Sequence, residues 1–137
     1  CNIWDPEFPH SNTGADGFVL TGPVRWYPAN GYGVHDISGN VWEWCSDLFR
    51  VDAYELCLAE AGGPGTVVDN PRGPSSSFDP RHAYEPVVRA QRGGSFLCSD
   101  SYCASYRPGA RMGGAPDTGA SHVGFRCVKD GPPPGER

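Results

Sequence analysis

The sequence predicts an irregular α+β domain with little regular secondary structure, and three observations carry that expectation. Gly and Pro, at 19 and 14 of 137 residues, make about a quarter of the chain. They interrupt nearly every window in which apolar residues could recur at helical spacing. Yet 4 Trp, 6 Tyr and 6 Phe, beside an ordinary charged fraction of 20%, supply too many large apolar groups for a solvated tail. The chain therefore packs, but it packs around loops, and its length bounds it to one domain or less.

Each element follows from local pattern. Short strand-like runs stand at Gly17 to Leu20, Asn40 to Trp44, Gly93 to Leu97 and Gly124 to Val128, each bounded by Gly, Asn, Asp or Pro. Asp47 to Leu58 is the one stretch that suits a helix. Ala61 to Arg81 holds four Pro, four Gly and the run Ser75, Ser76, Ser77. It reads as a surface excursion, an insertion loop at about 60–84 inside a unit spanning 1–130, with a frayed tail over 131–137. This pattern excludes a helix bundle and a doubly wound sheet. With ladders scarce, backbone polar groups must turn to side chains, Arg forks or metal ions.

Charge and hydropathy remove whole classes of partner. With 11 Lys and Arg against 16 Asp and Glu, the net charge is −5 and the pI about 5.2. There is no basic stripe for a phosphate backbone, so nucleic acid is not an expected partner. No apolar run approaches the roughly 18 to 20 residues needed to cross a bilayer, so no membrane is expected either. The chain begins at Cys1 without a basic and then apolar leader, so the expectation is that targeting information is either absent or lies upstream of it.

The segment Asn30 to Trp44 (Asn-Gly-Tyr-Gly-Val-His-Asp-Ile-Ser-Gly-Asn-Val-Trp-Glu-Trp) sets two carboxylates, Asp36 and Glu43, around Gly39 and Asn40. A hard cation such as Ca²⁺ takes six to eight oxygens, and a tight loop supplies carboxylates plus backbone carbonyls freed from any ladder. A solvated turn before a strand explains the same residues. Asn2 and Asp16, with nearby carbonyls, pose the same alternative.

Arg92 to Arg111 contains the only closely spaced cysteines, Cys98 and Cys103. On a continuous helix, five residues at 100° each would set them about 140° apart, facing away from each other. If instead the chain doubles back through Ser99, Asp100 and Ser101, the two sulfurs converge. They then bond each other or grip one soft ion, and two thiolates without other support favour Cu(I) over zinc, which needs two further ligands. In the closing run Gly124-Phe-Arg-Cys-Val-Lys129, Arg126 offers a fork for a carboxylate, and Cys127 is a small hydrophobe or a bridge partner.

Asn30-Gly-Tyr-Gly, Gly39-Asn-Val-Trp-Glu-Trp44, Arg92-Gly-Gly-Ser-Phe and Gly124-Phe-Arg-Cys127, in that order, resemble the formylglycine-generating enzyme (sulfatase-modifying factor) family. Asn2-Ile-Trp, Glu7-Phe-Pro, Asn12-Thr-Gly and Asp16-Gly-Phe extend the resemblance over nearly the whole chain. It implies the C-terminal half of a domain about twice this long, with an irregular C-type-lectin-like fold and two calcium sites. One site would use Asn2, the carbonyl of Ile3, Asp16 and the carbonyl of Phe18. The other would use Asp36, the carbonyls of Gly39 and Val41, and Glu43.

The resemblance also implies an activity. Cys98 and Cys103 match, at C-x4-C spacing after Gly-Gly-Ser, two cysteines that bind Cu(I) in the enzymes of the family. The implied reaction uses O₂ to oxidise a cysteine in a Cys-x-Pro-x-Arg segment of an unfolded sulfatase to Cα-formylglycine, by way of a thioaldehyde that water converts to the aldehyde with loss of sulfide. Ser95 and Tyr102 would order water or oxygen beside the metal, Tyr102 and Trp42 would line the substrate groove, and Arg107 and Arg111 would be framework. The sequence departs from the family pattern at Ser99, where a His is common, and across Met112 to Asp117.

Two rival readings go with the same signatures: a noncatalytic calcium-stabilised lectin-like binding module with a structural disulfide, and an ergothioneine-type sulfoxide synthase. The second needs an iron-binding His cluster, and His10, His35, His82 and His122 are scattered. Cys127 matches a cysteine that in some members pairs with one in the other half of the domain. Cys1, Cys45 and Cys57 match nothing, although a Cys45 to Cys57 bridge is conceivable. The absence of a glycosylation sequon leans toward a bacterial cytoplasm, with the endoplasmic reticulum as the eukaryotic alternative.

Overall fold

The computed structural model describes residues 1–82, 84 and 87–129. A four-stranded mixed sheet organises the chain, in the order β5-β4-β3-β6. Its centre is β3 (Trp42–Leu48), paired antiparallel with β4 (Arg89–Arg92) and parallel with β6 (Val123–Gly124); β5 (Met112–Gly114) closes the other edge against β4. A separate hairpin joins β1 (Pro6–Glu7) to β2 (Ser11–Asn12), and the one α-helix among the described residues is α1 (Ala53–Glu60). The expected scarcity of regular structure holds among the described residues.

Individual boundaries shift, each for a visible reason. Gly17 to Leu20 forms no strand, because side chains take its backbone groups: Asp16 Oδ1 accepts the Phe18 amide and Asn2 Nδ2 donates to the Leu20 carbonyl. The strand expected at Asn40 starts at Trp42 and runs on to Leu48, so the helix expected from Asp47 begins only at Ala53. Between them, Phe49 donates its amide to the Val88 carbonyl and Val51 donates to Phe78, which keeps the chain extended. The carboxylate of Asp52 is held by Arg50, so it does not cap the helix.

The run Gly93 to Leu97 is a turn, and the strand lies just before it. Gly93 and Gly94 have φ of 89° and 69°, outside any strand conformation, and a Cβ on Gly94 would stand 2.7 Å from the Tyr106 amide nitrogen. Only Val123–Gly124 of the closing run pairs with the sheet. The excursion after α1 is anchored earlier than expected: Ser77 Oγ exchanges hydrogen bonds with Val88, and Phe78 donates to the Phe49 carbonyl. The tail 131–137 lies outside the described residues.

The core is small. Phe49, Val88 and Ala90 pack together with Cys45 beside them, and Gly113 lies so close that a Cβ there would meet Val88 at 2.6 Å. Arg111 extends this core outward, its guanidinium over the rings of Phe49 and Tyr54, as suits a framework arginine; Arg107 is exposed.

Candidate functional site

The double glycine after β4 turns the chain into a tight loop that carries both cysteines. Cys98 donates its amide to the Ser95 carbonyl, and Tyr102 and Cys103 both donate to the carbonyl of Ser99. The Ser99 hydroxyl, fully buried, accepts a second bond from the Tyr102 amide. These bonds double the chain back through Ser99, Asp100 and Ser101, and the Cys98 and Cys103 sulfurs meet at 2.7 Å. Both are free thiols.

The two sulfurs face different surroundings. Cys98 is buried, whereas Cys103 is half-buried and reaches the surface beside the exposed ring of Tyr102. Burial, reinforced by the hydrogen bond to the Cys103 thiol, pushes the Cys98 thiol up to about 12, while the Ser95 amide works weakly in the other direction. Ser95 is buried beneath the pair, its amide pointing at the Cys98 sulfur at 3.5 Å and its hydroxyl accepting the Leu97 amide.

No group of three His, Cys, Asp or Glu side chains converges among the described residues. The donor set is two thiols alone, which fits a soft ion of low coordination number and does not fit a four-coordinate zinc. It fits an S–S bond equally.

The two expected calcium loops are built differently. In the first, Asp16 receives the Ile3 amide on Oδ2 at 2.7 Å and the Phe18 amide on Oδ1, so three of the expected residues share one carboxylate. Asn2 is fully buried, its amide group donating to Leu20 and to Asn40, and its Oδ1 has no hydrogen-bond partner. An unpartnered buried oxygen fits a hard cation.

In the second loop Arg126 holds the centre. Its guanidinium forks onto both oxygens of Glu43 and also donates to the carbonyls of His35 and Asp36. This is the carboxylate anchor expected of Arg126. The Asp36 carboxylate turns away to accept the amides of Arg25 and Tyr27, and a cation here would have to share Glu43 with the guanidinium. Tyr27 ties the two loops together, donating its hydroxyl to the Asp16 carbonyl; burial first, then the charges of Asp16 and Asp36, raise its phenol above the usual range.

Gly39 and Asn40 lock these loops to the thiol turn. Gly39 has φ of 73°, and a Cβ there would stand 2.2 Å from the Asn2 carbonyl oxygen. Asn40, also left-handed at φ of 67°, receives the Asn2 side chain and the Gly22 amide on Oδ1 and accepts the Phe96 amide on its carbonyl. The Trp4 amide donates to the Cys98 carbonyl at 2.8 Å. Trp42 is only 3% exposed, at the start of the central strand, so in this structure it forms core and does not open onto a groove. Cys45 and Cys57, considered above as a bridge, are both free.

The sequence matches the sulfatase-modifying factor enzyme 1-like domain over residues 1–131. The chain belongs to that family. It is 43% identical over 130 residues to a protein named formylglycine-generating enzyme from Thermomonospora curvata, covering 95% of this chain and 38% of that protein. It is 45% identical over 131 residues to one of the same name from Streptomyces coelicolor, covering 95% of this chain and 36% of that protein. The chain thus spans little more than a third of these relatives. Among solved structures, the Treponema denticola variable protein 1 superposes with a TM-score of 0.53 at 32% identity, covering 84% of this chain and 32% of that one. With the mixed sheet and single helix, this match bears out the irregular lectin-like fold class.

As a sulfatase-modifying factor domain the chain contains one feature that sequence reasoning missed. Phe8 stacks on Tyr102 with ring centroids 4.5 Å apart and planes 15° from parallel. No local pattern signals this contact, since its partners lie far apart in sequence and neither belongs to a periodic run.

Proposed function

We propose that this chain carries the thiol centre of a sulfatase-modifying oxidoreductase, which uses O₂ to convert a cysteine of a Cys-x-Pro-x-Arg segment in an unfolded sulfatase to Cα-formylglycine. The observation that carries the reading is the Cys98–Cys103 pair, one cysteine buried and the other half-buried, with their sulfurs in contact. Two relatives named for this activity support it. Since the chain spans about a third of their length, the remaining part of the domain belongs to the proposal.

Cys98 and Cys103 would hold Cu(I), which supplies an open coordination position for a substrate thiolate and an electron-rich centre for reaction with O₂. The protein's own contributions are positional. Cys98, buried and hydrogen-bonded, keeps its proton until the metal displaces it, so loading releases protons and tightens with pH. The Ser95 amide and the Ser99 turn fix the sulfur direction, and Tyr102 forms the wall that a peptide meets at the surface. Calcium at Asn2, Ile3, Asp16 and Phe18 would stiffen the segment that reaches Cys98 through Trp4. The same reading puts a second ion at Asp36, Gly39, Val41 and Glu43, where it shares Glu43 with Arg126.

A second reading rests on the same pair: two sulfurs at 2.7 Å also suit a structural bridge in a noncatalytic, calcium-stabilised lectin-like module. Titration with Cu(I) against a chromophoric chelator under reducing conditions separates the two. The oxidase reading expects about one equivalent bound, and none in Cys98→Ser or Cys103→Ser. It further expects mass spectrometry to find the aldehyde in a Cys-x-Pro-x-Arg peptide incubated with copper-loaded full-length protein in air. Copper binding indifferent to both substitutions sinks it.

A further inference from the structure

We propose that Phe8 is a positioning residue of the thiol centre, holding Tyr102 as the wall against which the substrate peptide lies. The inference rests on the functional reading above and adds to it a residue outside both the thiol loop and the calcium loops.

Tyr102 is 70% exposed, and its phenol has no hydrogen-bond partner among those found. A surface tyrosine without a partner moves among its rotamers on a timescale far shorter than peptide binding. Here the ring is held. Phe8 covers one face in an offset stack, with centroids 4.5 Å apart and planes 15° from parallel. Phe8 is in turn held by Trp4, whose indole meets its ring edge-on at 5.2 Å and 75°. The indole nitrogen donates to the Glu7 carbonyl, which fixes Trp4 itself.

The brace returns to the thiols at its other end, since the Trp4 amide donates to the Cys98 carbonyl. The segment from Trp4 to Phe8 therefore grips the cysteine loop at two points, the backbone of Cys98 and the ring of the residue before Cys103. One face of the Tyr102 ring is taken by Phe8, and the ring remains mostly open to solvent. A peptide approaching the surface sulfur of Cys103 meets a ring whose orientation is already set, and so loses less entropy on binding than it would against a mobile one.

The test measures peptide binding without turnover. A fluorescent Ser-x-Pro-x-Arg peptide, which has no thiol to oxidise, is titrated into full-length protein and followed by anisotropy. Phe8→Ala is expected to weaken binding roughly tenfold, the upper end of what one aromatic stack contributes, while Phe8→Tyr, which keeps the stack, stays within about twofold of the parent. If Phe8→Ala fails to fold, Phe8→Leu keeps the apolar volume without the ring and is expected to show the same loss. The Tyr102 ring protons are expected upfield in the parent and in Phe8→Tyr, and near their free positions in Phe8→Ala and Phe8→Leu.

Equal binding by a folded ring-deleted variant overturns the proposal, as does failure of Phe8→Tyr to restore binding. Parent protein that binds the serine peptide but leaves the cysteine peptide unoxidised removes the oxidase reading and leaves the positioning role standing. Parent protein that oxidises the cysteine peptide, while Phe8→Ala binds the serine peptide unchanged, does the reverse. Parent protein that neither binds nor oxidises overturns both.

Discussion

Cys98 and Cys103 share a loop and a contact, yet their surroundings differ. With its thiol pushed up to about 12, Cys98 carries on the order of one thiolate in 10⁴ molecules at pH 8. It is also buried, whereas Cys103 is not. In metal-free, reduced protein, iodoacetamide is expected to modify Cys103 at least about tenfold faster than Cys98, read by peptide mass mapping over time. Equal rates would mean that the loop opens. The same residue sets a pH dependence. Its folded pKa lies above the ordinary 9.0, so the folded state binds the proton more tightly than the unfolded chain does. The stability tied to that proton is fully present below pH 9 and is lost as pH climbs toward 12. Urea midpoints should fall more steeply between pH 9 and 11 for the parent than for Cys98→Ser; parallel curves would show that the thiol titrates normally.

At the scale of elements, loops take the place of missing ladders, and the first of the two loops expected to bind calcium is the clearest case. Asn2 Oδ1 is buried without a partner, and Asp16 receives the amide of the next residue, Ile3, so an ion that these oxygens shared would bind the folded state alone. Calcium at about a hundredfold above its dissociation constant would then add roughly 2.7 kcal/mol, a rise in melting temperature of about 9 °C. Asp16→Asn is expected to remove most of that rise, and an identical rise in the variant would place the ion elsewhere. Gly39 tests the joint between this loop and the sheet. Alanine there combines a left-handed backbone with a Cβ 2.2 Å from the Asn2 carbonyl, and should cost at least about 2 kcal/mol by urea denaturation. Gly31→Ala, which meets nothing within 4 Å, should stay within about 0.5 kcal/mol.

These elements also show what could be read from the chain and what could not. Five-residue spacing would have kept the cysteines apart on a helix and left convergence conditional on a turn through Ser99, Asp100 and Ser101, the arrangement that the family resemblance favoured and the structure has. The glycine pair at 93 and 94 misled, because a strand pattern of small and apolar residues says nothing about the sign of φ. Asp47 misled in the other direction: acidic residues suit a helix start, but tertiary bonds from Val88 and Phe78 hold the chain extended past it. The Phe8–Tyr102 stack, and the identity of Glu43 as the carboxylate that Arg126 grips, join distant segments, and long-range pairs leave no mark in local spacing.

The whole molecule exposes more than its mass calls for. Size scaling gives a monomer of 14.7 kDa about 6,900 Å² of accessible surface, whereas this chain has 9556 Å². Much of the surplus is apolar: Trp26 is 61% exposed, Tyr32 94% and Phe125 75%, and no residue of α1 is buried, Tyr54, Leu56 and Leu58 included. A helix with so little buried surface, tied to the core where Arg111 lies over Tyr54, gains little from packing, and eight residues fall well short of the length at which helices hold on their own. The relatives named above contain a further stretch nearly twice as long as the matched region, and if that stretch covers these side chains in a longer protein, the chain alone should behave as a partly packed one. Expressed alone, the 137-residue chain is therefore expected to bind the dye ANS strongly and to melt without a sharp cooperative transition. Coexpression with the part of the Thermomonospora curvata relative that lies outside the matched region should suppress the dye signal several-fold and restore a single transition. A cooperative, dye-silent isolated chain would show that the exposed rings need no partner and that the small core of Phe49, Val88 and Ala90 suffices to hold the fold.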